Sequence, residues 1–114
     1  MLSGAYSQIF ELAGIECISP DDQGQREVTD MIYGQIKKGV MPSAQRLAAV
    51  ANGLVSRGCD KIILGCTELS LLKRSGALED GRFIDSLEVL AYSAIRLCGK
   101  TPVGFDPRLM RFEP

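Results

Sequence analysis

The chain has 114 residues, enough for one compact domain that buries roughly two-thirds of its unfolded surface. Hydrophobic residues make up 46% and charged residues 24%, and 13 basic against 14 acidic residues leave a net charge of -1 with no basic cluster beyond the pairs Lys37-Lys38 and Lys73-Arg74, so a nucleic-acid-binding surface or an anionic-membrane surface is not expected. No apolar run approaches the ~20 residues of a membrane span, and the N-terminus lacks the basic start and apolar stretch of a signal peptide.

Leu2, Ala5, Tyr6, Ile9 and Ala13 recur at helical spacing, which predicts an amphipathic helix over 3–13 that Gly14 ends. Ile15 to Ser19 reads as a short strand closed by Pro20 and Asp21-Asp22. Val28, Met31, Ile32 and Ile36 define a second helix that Gly39 stops, and Pro42-Ser43 opens a third, with Leu47, Val50, Ala51, Leu54 and Val55 on one side and Arg57-Gly58 at its end. Lys61 to Gly65 is a second strand, followed by a short helix from about Glu68 to Arg74 and a polar loop over 76–81. Arg82 to Asp85 is a third strand, and Ser86 is expected to cap a last helix whose apolar face is Leu87, Leu90, Ala91, Ala94, Ile95 and Cys98. The tail from Thr101 to Pro114 holds three prolines and no period, although Phe105, Leu109 and Met110 could dock.

Strands alternating with helices predict an α/β fold: a small three-layer α-β-α domain around a short parallel sheet with right-handed crossovers. Ligands in such sheets bind beyond the carboxyl ends of the strands. Three features are expected to meet there: Pro20-Asp21, Cys66-Thr67-Glu68 and Asp85-Ser86.

The cysteines are Cys17, Cys59, Cys66 and Cys98, and the chain has no histidine. Cys59 and Cys66 lack a zinc spacing, and Ser-His or Cys-His catalysis within this chain is ruled out. Reduced thiols in the cytoplasm are expected. Cys17, Cys59 and Cys98 read as structural thiols by the burial habits of cysteine. Cys66 differs. Ile62-Ile63-Leu64-Gly65-Cys66-Thr67-Glu68-Leu69 runs from a buried strand through a glycine into a helix start. Gly65 lets backbone or ligand approach closely, and the free N–H groups of the helix start favour thiolate over thiol. A small buried cysteine ending a strand is the plain alternative.

Leu64-Gly65-Cys66-Thr67-Glu68-Leu69 with Leu71-Leu72, supported by Gly14-Ile15-Glu16 leading into Pro20-Asp21 and by Met31-Ile32-Tyr33 before Ile36 and Gly39, resembles the C-terminal half of the aspartate/glutamate racemase superfamily, nearest its aspartate racemase branch. Glutamate after the threonine marks the aspartate-like side, where glutamate racemases carry histidine. The resemblance covers residues 1 to about 99 and implies a single racemase-like C-terminal domain over 1–99, half of a pseudo-symmetric fold, with a Pro-rich tail over 100–114. It also implies a cofactor-independent isomerase, with neither pyridoxal phosphate nor metal, in which two thiols face opposite sides of the substrate α-carbon. Cys66 would be one acid/base. Thr67 would hold the substrate carboxylate, with Gly65 allowing its approach, and Glu68 would orient the cysteine or contact the amino group.

The chain departs from the family pattern in three ways. The half carrying the other cysteine, normally in a Cys-Asn-Thr element, is absent. Val40 follows Gly39 where aspartate-like members often place a lysine, with Lys37 and Lys38 just upstream, and Ser70 stands where proline is usual. A homodimer, or a partner chain supplying the other half, is therefore expected, acting on a small amino acid or dicarboxylate. Superfamily relatives that decarboxylate malonates, racemise hydantoins or isomerise maleate share the cysteine chemistry. Two other classes compete: a non-catalytic remnant that binds a small dicarboxylate or only pairs with another chain, and a small phospho-acceptor or flavin-type module built on Asp85.

Overall fold

The computed structural model describes residues 5–74 and 81–105, which fall into two compact units divided between Asp60 and Lys61. The expected helix start at residues 3 and 4, the polar loop over 76–81 except its last residue, and the tail beyond 105 lie outside the described residues.

The first unit is helical. α1 spans Ala5–Leu12, α2 spans Asp22–Thr29 and α3 spans Ala44–Ser56. α1 ends where Gly14 adopts a left-handed φ of 74°, which lets the Ile15 N–H reach the Phe10 carbonyl at 2.9 Å and the Gly14 N–H reach that of Glu11 at 3.0 Å. This closure explains why the expected strand at Ile15–Ser19 does not form. The first N–H of the segment is spent on the helix, and the Ser19 carbonyl accepts from Arg57 Nη1 at 2.9 Å. With Ile15 half exposed at 52% and Cys17 exposed, the segment has neither a ladder partner nor a buried face. The described sheet therefore has two strands, where three were expected.

α2 starts on Asp21, whose Oδ1 accepts from the Gly24 N–H at 2.8 Å. The helix continues as a π segment, Asp30–Gln35, and a 3-10 turn, Ile36–Lys38, before Gly39 stops it at φ 81°. The π turn brings residues five apart into line, so Asp30 and Gln35 face the same neighbour. That neighbour is Arg46, in the first turn of α3. Its Nε meets Glu27 Oε2 at 2.9 Å, Nη1 meets Gln35 Oε1 at 2.7 Å and Nη2 meets Asp30 Oδ2 at 2.6 Å. The bond to Asp30, then that to Glu27, raises the guanidinium pKa further above its ordinary value. Gly34 leaves room for this carboxylate, because a Cβ there would lie 2.6 Å from Asp30 Oδ1. The side chains of Met31, Leu47, Ala51 and Leu54 are buried. Arg46→Met is expected to lower the melting temperature, and 1 M NaCl is expected to shrink the gap to wild type, because partly exposed ion pairs are screened. Thermal unfolding with and without salt measures both effects.

The second unit holds β1 (Ile62–Leu64), α4 (Thr67–Arg74), β2 (Phe83–Asp85) and α5 (Ser86–Leu97). The strands run parallel in the register Ile62 to Phe83, Ile63 to Ile84 and Leu64 to Asp85. Parallel strands need a crossover, and α4 supplies it. Ile62, Leu64, Leu69, Leu72, Phe83 and Tyr92 form the apolar interior. On and just after α5 the structure buries Tyr92 and leaves Leu87, Leu90, Ala91, Ala94 and Cys98 exposed, so most of the expected apolar face is exposed among the described residues. Phe105 docks edge-on against Tyr92, with ring centroids 5.4 Å apart.

Candidate functional site

The alternation of an apolar strand, a glycine and a helix start places Gly65, Cys66, Thr67 and Glu68 at the carboxyl end of the parallel pair. Gly65 is half-buried and joins β1 to the Cys66 bend, and Thr67 and Glu68 are the first two residues of α4. The Cys66 carbonyl accepts the Ser70 N–H at 3.3 Å, which closes the first turn. Cys66 thus sits at the capping position of α4, and the backbone N–H groups of Glu68 and Leu69 aim at its sulfur. Thr67 is exposed, and its Oγ1 donates to Glu68 Oε2 at 3.3 Å.

Cys66 is half-buried, and this decides its charge. Burial is the largest influence and pushes the thiol above its ordinary value of 9.0. The Leu69 N–H pulls the other way. The nearby Glu68 charge raises the value, the Glu68 N–H lowers it, and the Glu68 carboxylate raises it again by accepting the S–H. The expectation that the helix start holds this residue as a thiolate is therefore corrected. The donors are in place, but removal from water and an adjacent carboxylate outweigh them, and the resting form is the thiol.

A raised folded-state value favours the protonated form. The resulting contribution to stability is fully present below 9.0 and is lost as pH rises above it. Peptide-resolved alkylation across pH is expected to give Cys66 a midpoint above that of an ordinary exposed cysteine, because burial holds the thiol protonated.

The second parallel strand brings Asp85 and Ser86 to the same end. Asp85 is 4% exposed, and its Oδ1 accepts from the Leu87 N–H at 3.0 Å, so the cap of α5 is Asp85 and not Ser86. Ser86 is the first helical residue, and its Oγ donates to the Leu64 carbonyl at 2.7 Å. Ser70, 1% exposed, donates from Oγ to Asp85 Oδ1 at 2.6 Å. On the flank of the two helices, Lys73 Nζ and Glu88 Oε2 pair at 2.8 Å. Asp85 is thus buried and already accepting two bonds, which removes the basis for reading it as an open phospho-acceptor.

Two of the three strand-end features therefore come together, and Pro20-Asp21 belongs to the other unit. Ser70 escaped the sequence reading as more than a helix-start residue. The available signal was its spacing of four from Cys66, which sets it one turn along the same helix face. Cys17 and Cys98 are exposed and Cys59 half-buried, so the expectation of buried structural thiols fails for the first two: Cys17 lies outside any strand and Cys98 is the C-cap of α5. Lys37 lies over the Tyr33 ring, 4.8 Å from its centroid, and Val40 is exposed. Among the described residues no group of three His, Cys, Asp or Glu side chains could hold a metal ion, and no helix is long and apolar enough to cross a membrane.

Residues 2–94 match the family described as Asp/Glu/Hydantoin racemase. A protein of Pectobacterium carotovorum subsp. carotovorum, described as "Uncharacterized protein in pnlA 3'region", is 35% identical over 77 residues, which cover 67% of this chain and 51% of that protein. The chain thus spans about half the length of the curated relative it matches.

Proposed function

The chain belongs to the Asp/Glu/hydantoin racemase family, and on that premise we propose that residues 1–99 form one C-terminal racemase-like domain of a cofactor-independent, aspartate/glutamate-type amino-acid racemase. The observation that carries this reading is the placement of Cys66: a half-buried sulfur at the capping position of a helix that starts where a parallel strand ends, with two N–H groups directed at it.

The reaction breaks the α-carbon to hydrogen bond. A thiolate on one face takes the proton, the electron pair is held as a carbanion stabilised through the substrate carboxylate, and a thiol on the other face returns a proton. One of the two groups must therefore rest protonated. The burial and the Glu68 carboxylate that raise the Cys66 value suit it to be the proton donor. Thr67, at the open N-terminal end of α4, is placed to receive the substrate carboxylate, Gly65 offers close backbone approach, and Glu68 orients the Cys66 thiol.

The second acid/base belongs to the other half of the pseudo-symmetric fold, a place that a second copy of the chain or a partner chain can fill. The uncovered apolar residues of α5, with Leu90 66% and Leu97 89% exposed, support association. The soluble-enzyme setting in this reading is the cytoplasm.

A raised thiol also favours a second reading, a domain that binds a small dicarboxylate without chemistry. Incubation with L- and D-aspartate or glutamate in D2O separates the two. Deuterium at the α-carbon is expected for the racemase, and dicarboxylate binding without exchange overturns it in favour of the binding domain.

A further inference from the structure

We propose that the buried Ser70–Asp85 pair is the positioning element of the Cys66 turn. The inference rests on the reading of Cys66 as the reacting group. It concerns a residue at which this chain departs from the family pattern, the serine following Glu68-Leu69.

A serine hydroxyl has one proton to give. Two acceptors lie near Ser70 Oγ: Asp85 Oδ1 at 2.6 Å and the Cys66 carbonyl at 3.4 Å. The proton goes to the carboxylate, which is nearer and charged. The Cys66 carbonyl is held instead by the Ser70 main-chain N–H at 3.3 Å. Ser70 therefore grips the turn with its backbone and the end of β2 with its side chain. On the other flank, Ser86 Oγ holds the Leu64 carbonyl at 2.7 Å, two residues before Cys66. The carbonyls on both sides of Gly65 are thus tied, directly or through Ser70, to Asp85-Ser86. Ser70 at 1% and Asp85 at 4% exposure are shielded from competing water.

Both ties act on the main chain of the turn rather than on sulfur, which makes Ser70 and Asp85 positioning residues. They keep the first turn of α4 closed, and a closed turn is what aims the Glu68 and Leu69 N–H groups at Cys66. When the turn opens, the sulfur becomes an ordinary exposed thiol. Removing one such bond raises the population of locally open molecules by about fivefold.

The test is the alkylation rate of Cys66 by iodoacetamide across pH, resolved by peptide mass spectrometry on the full chain well below its melting temperature. Ser70→Ala is expected to raise the rate at pH 8 about fivefold and to move the midpoint down toward the ordinary cysteine value, because the open form reacts as a free thiol. Asp85→Asn keeps an oxygen for both donors but weakens a charge-assisted bond to a neutral one, and about a twofold rise is expected. Tyr92→Leu disturbs the interior of the same unit away from the tie, and less than about a twofold change is expected there. A Ser70→Ala rate indistinguishable from wild type, or a Tyr92→Leu rise as large as that of Ser70→Ala, overturns the proposal. If Ser70→Ala does not fold, Asp85→Asn decides, and an unchanged rate there overturns it. Absence of α-proton exchange in the wild-type protein would remove the catalytic role of Cys66 while leaving this thiol comparison intact, so the two failures are distinguishable.

Discussion

Cys66→Ala is expected to lower α-proton exchange of the aspartate or glutamate enantiomer whose α-hydrogen faces Cys66 by about 10²- to 10⁴-fold, the range that a positioned acid or base contributes. Proton NMR in D2O, following loss of the α-hydrogen signal, measures it. The variant removes only the sulfur. The Ser70 N–H to Cys66 carbonyl bond that closes α4 is a main-chain bond and survives, whereas the Glu68 and Leu69 N–H groups lose the sulfur, as at any capping position replaced by alanine, at about 1 kcal/mol. A drop of a few degrees in melting temperature is therefore expected beside the loss of exchange. Cys66→Ser sharpens the test, because its hydroxyl keeps the shape and still receives the Glu68 and Leu69 N–H groups but does not ionise near neutral pH. A comparable loss in both variants assigns the effect to thiol chemistry. Exchange of both the L- and the D-enantiomer that persists in either variant at the wild-type rate removes Cys66 from the reaction.

Asp85→Ala is expected to have the largest effect on stability, about 3 kcal/mol. Two losses add up. The α5 cap bond from the Leu87 N–H disappears, which costs about 1 kcal/mol. The Ser70 hydroxyl, 1% exposed, loses its acceptor, and a buried unpaired polar group costs about 1–3 kcal/mol. The Cys66 carbonyl at 3.4 Å is a poor substitute. Asp85→Asn retains an oxygen acceptor and is expected to cost less than half as much. Urea unfolding monitored by circular dichroism gives both values. Equal stability of Asp85→Ala and wild type would mean that the carboxylate holds nothing in place.

Much of this was legible in the sequence because helices announce themselves by period. Of the apolar face expected for α3, Leu47, Ala51 and Leu54 are buried, while Val50 is half-buried and Val55 exposed, and Gly14 and Gly39 marked helix ends that their left-handed backbone now explains. The run Ile62-Ile63-Leu64 followed by Gly65-Cys66 likewise predicted a strand that ends at a helix start. Short strands are less readable. Ile15 to Ser19 has strand-like residues, but a strand exists only with a partner, and the chain spends the Ile15 N–H on closing α1. The π turn at Asp30–Gln35 has no apolar signature either, because the carboxylate and amide that face Arg46 are polar residues at a spacing that a regular helix does not bring together.

At the site, sequence placed Cys66, Thr67 and Glu68 correctly at the mouth of α4 but misjudged the charge on sulfur. The helix start argues for thiolate. Burial and the Glu68 carboxylate argue against it, and neither depth nor side-chain direction can be read from spacing. The Ser70–Asp85 bond was hidden for a similar reason: it joins residues fifteen apart, and only the parallel register that sets Leu64 beside Asp85 brings them within reach.

The central claim is that the Cys66 sulfur faces the bound amino acid. Peptide-resolved iodoacetamide labelling with and without saturating aspartate or glutamate tests it most directly. The account predicts that substrate slows labelling of Cys66 several-fold while the exposed Cys17 and Cys98 label at unchanged rates. Identical Cys66 labelling in the presence and absence of both amino acids would contradict it.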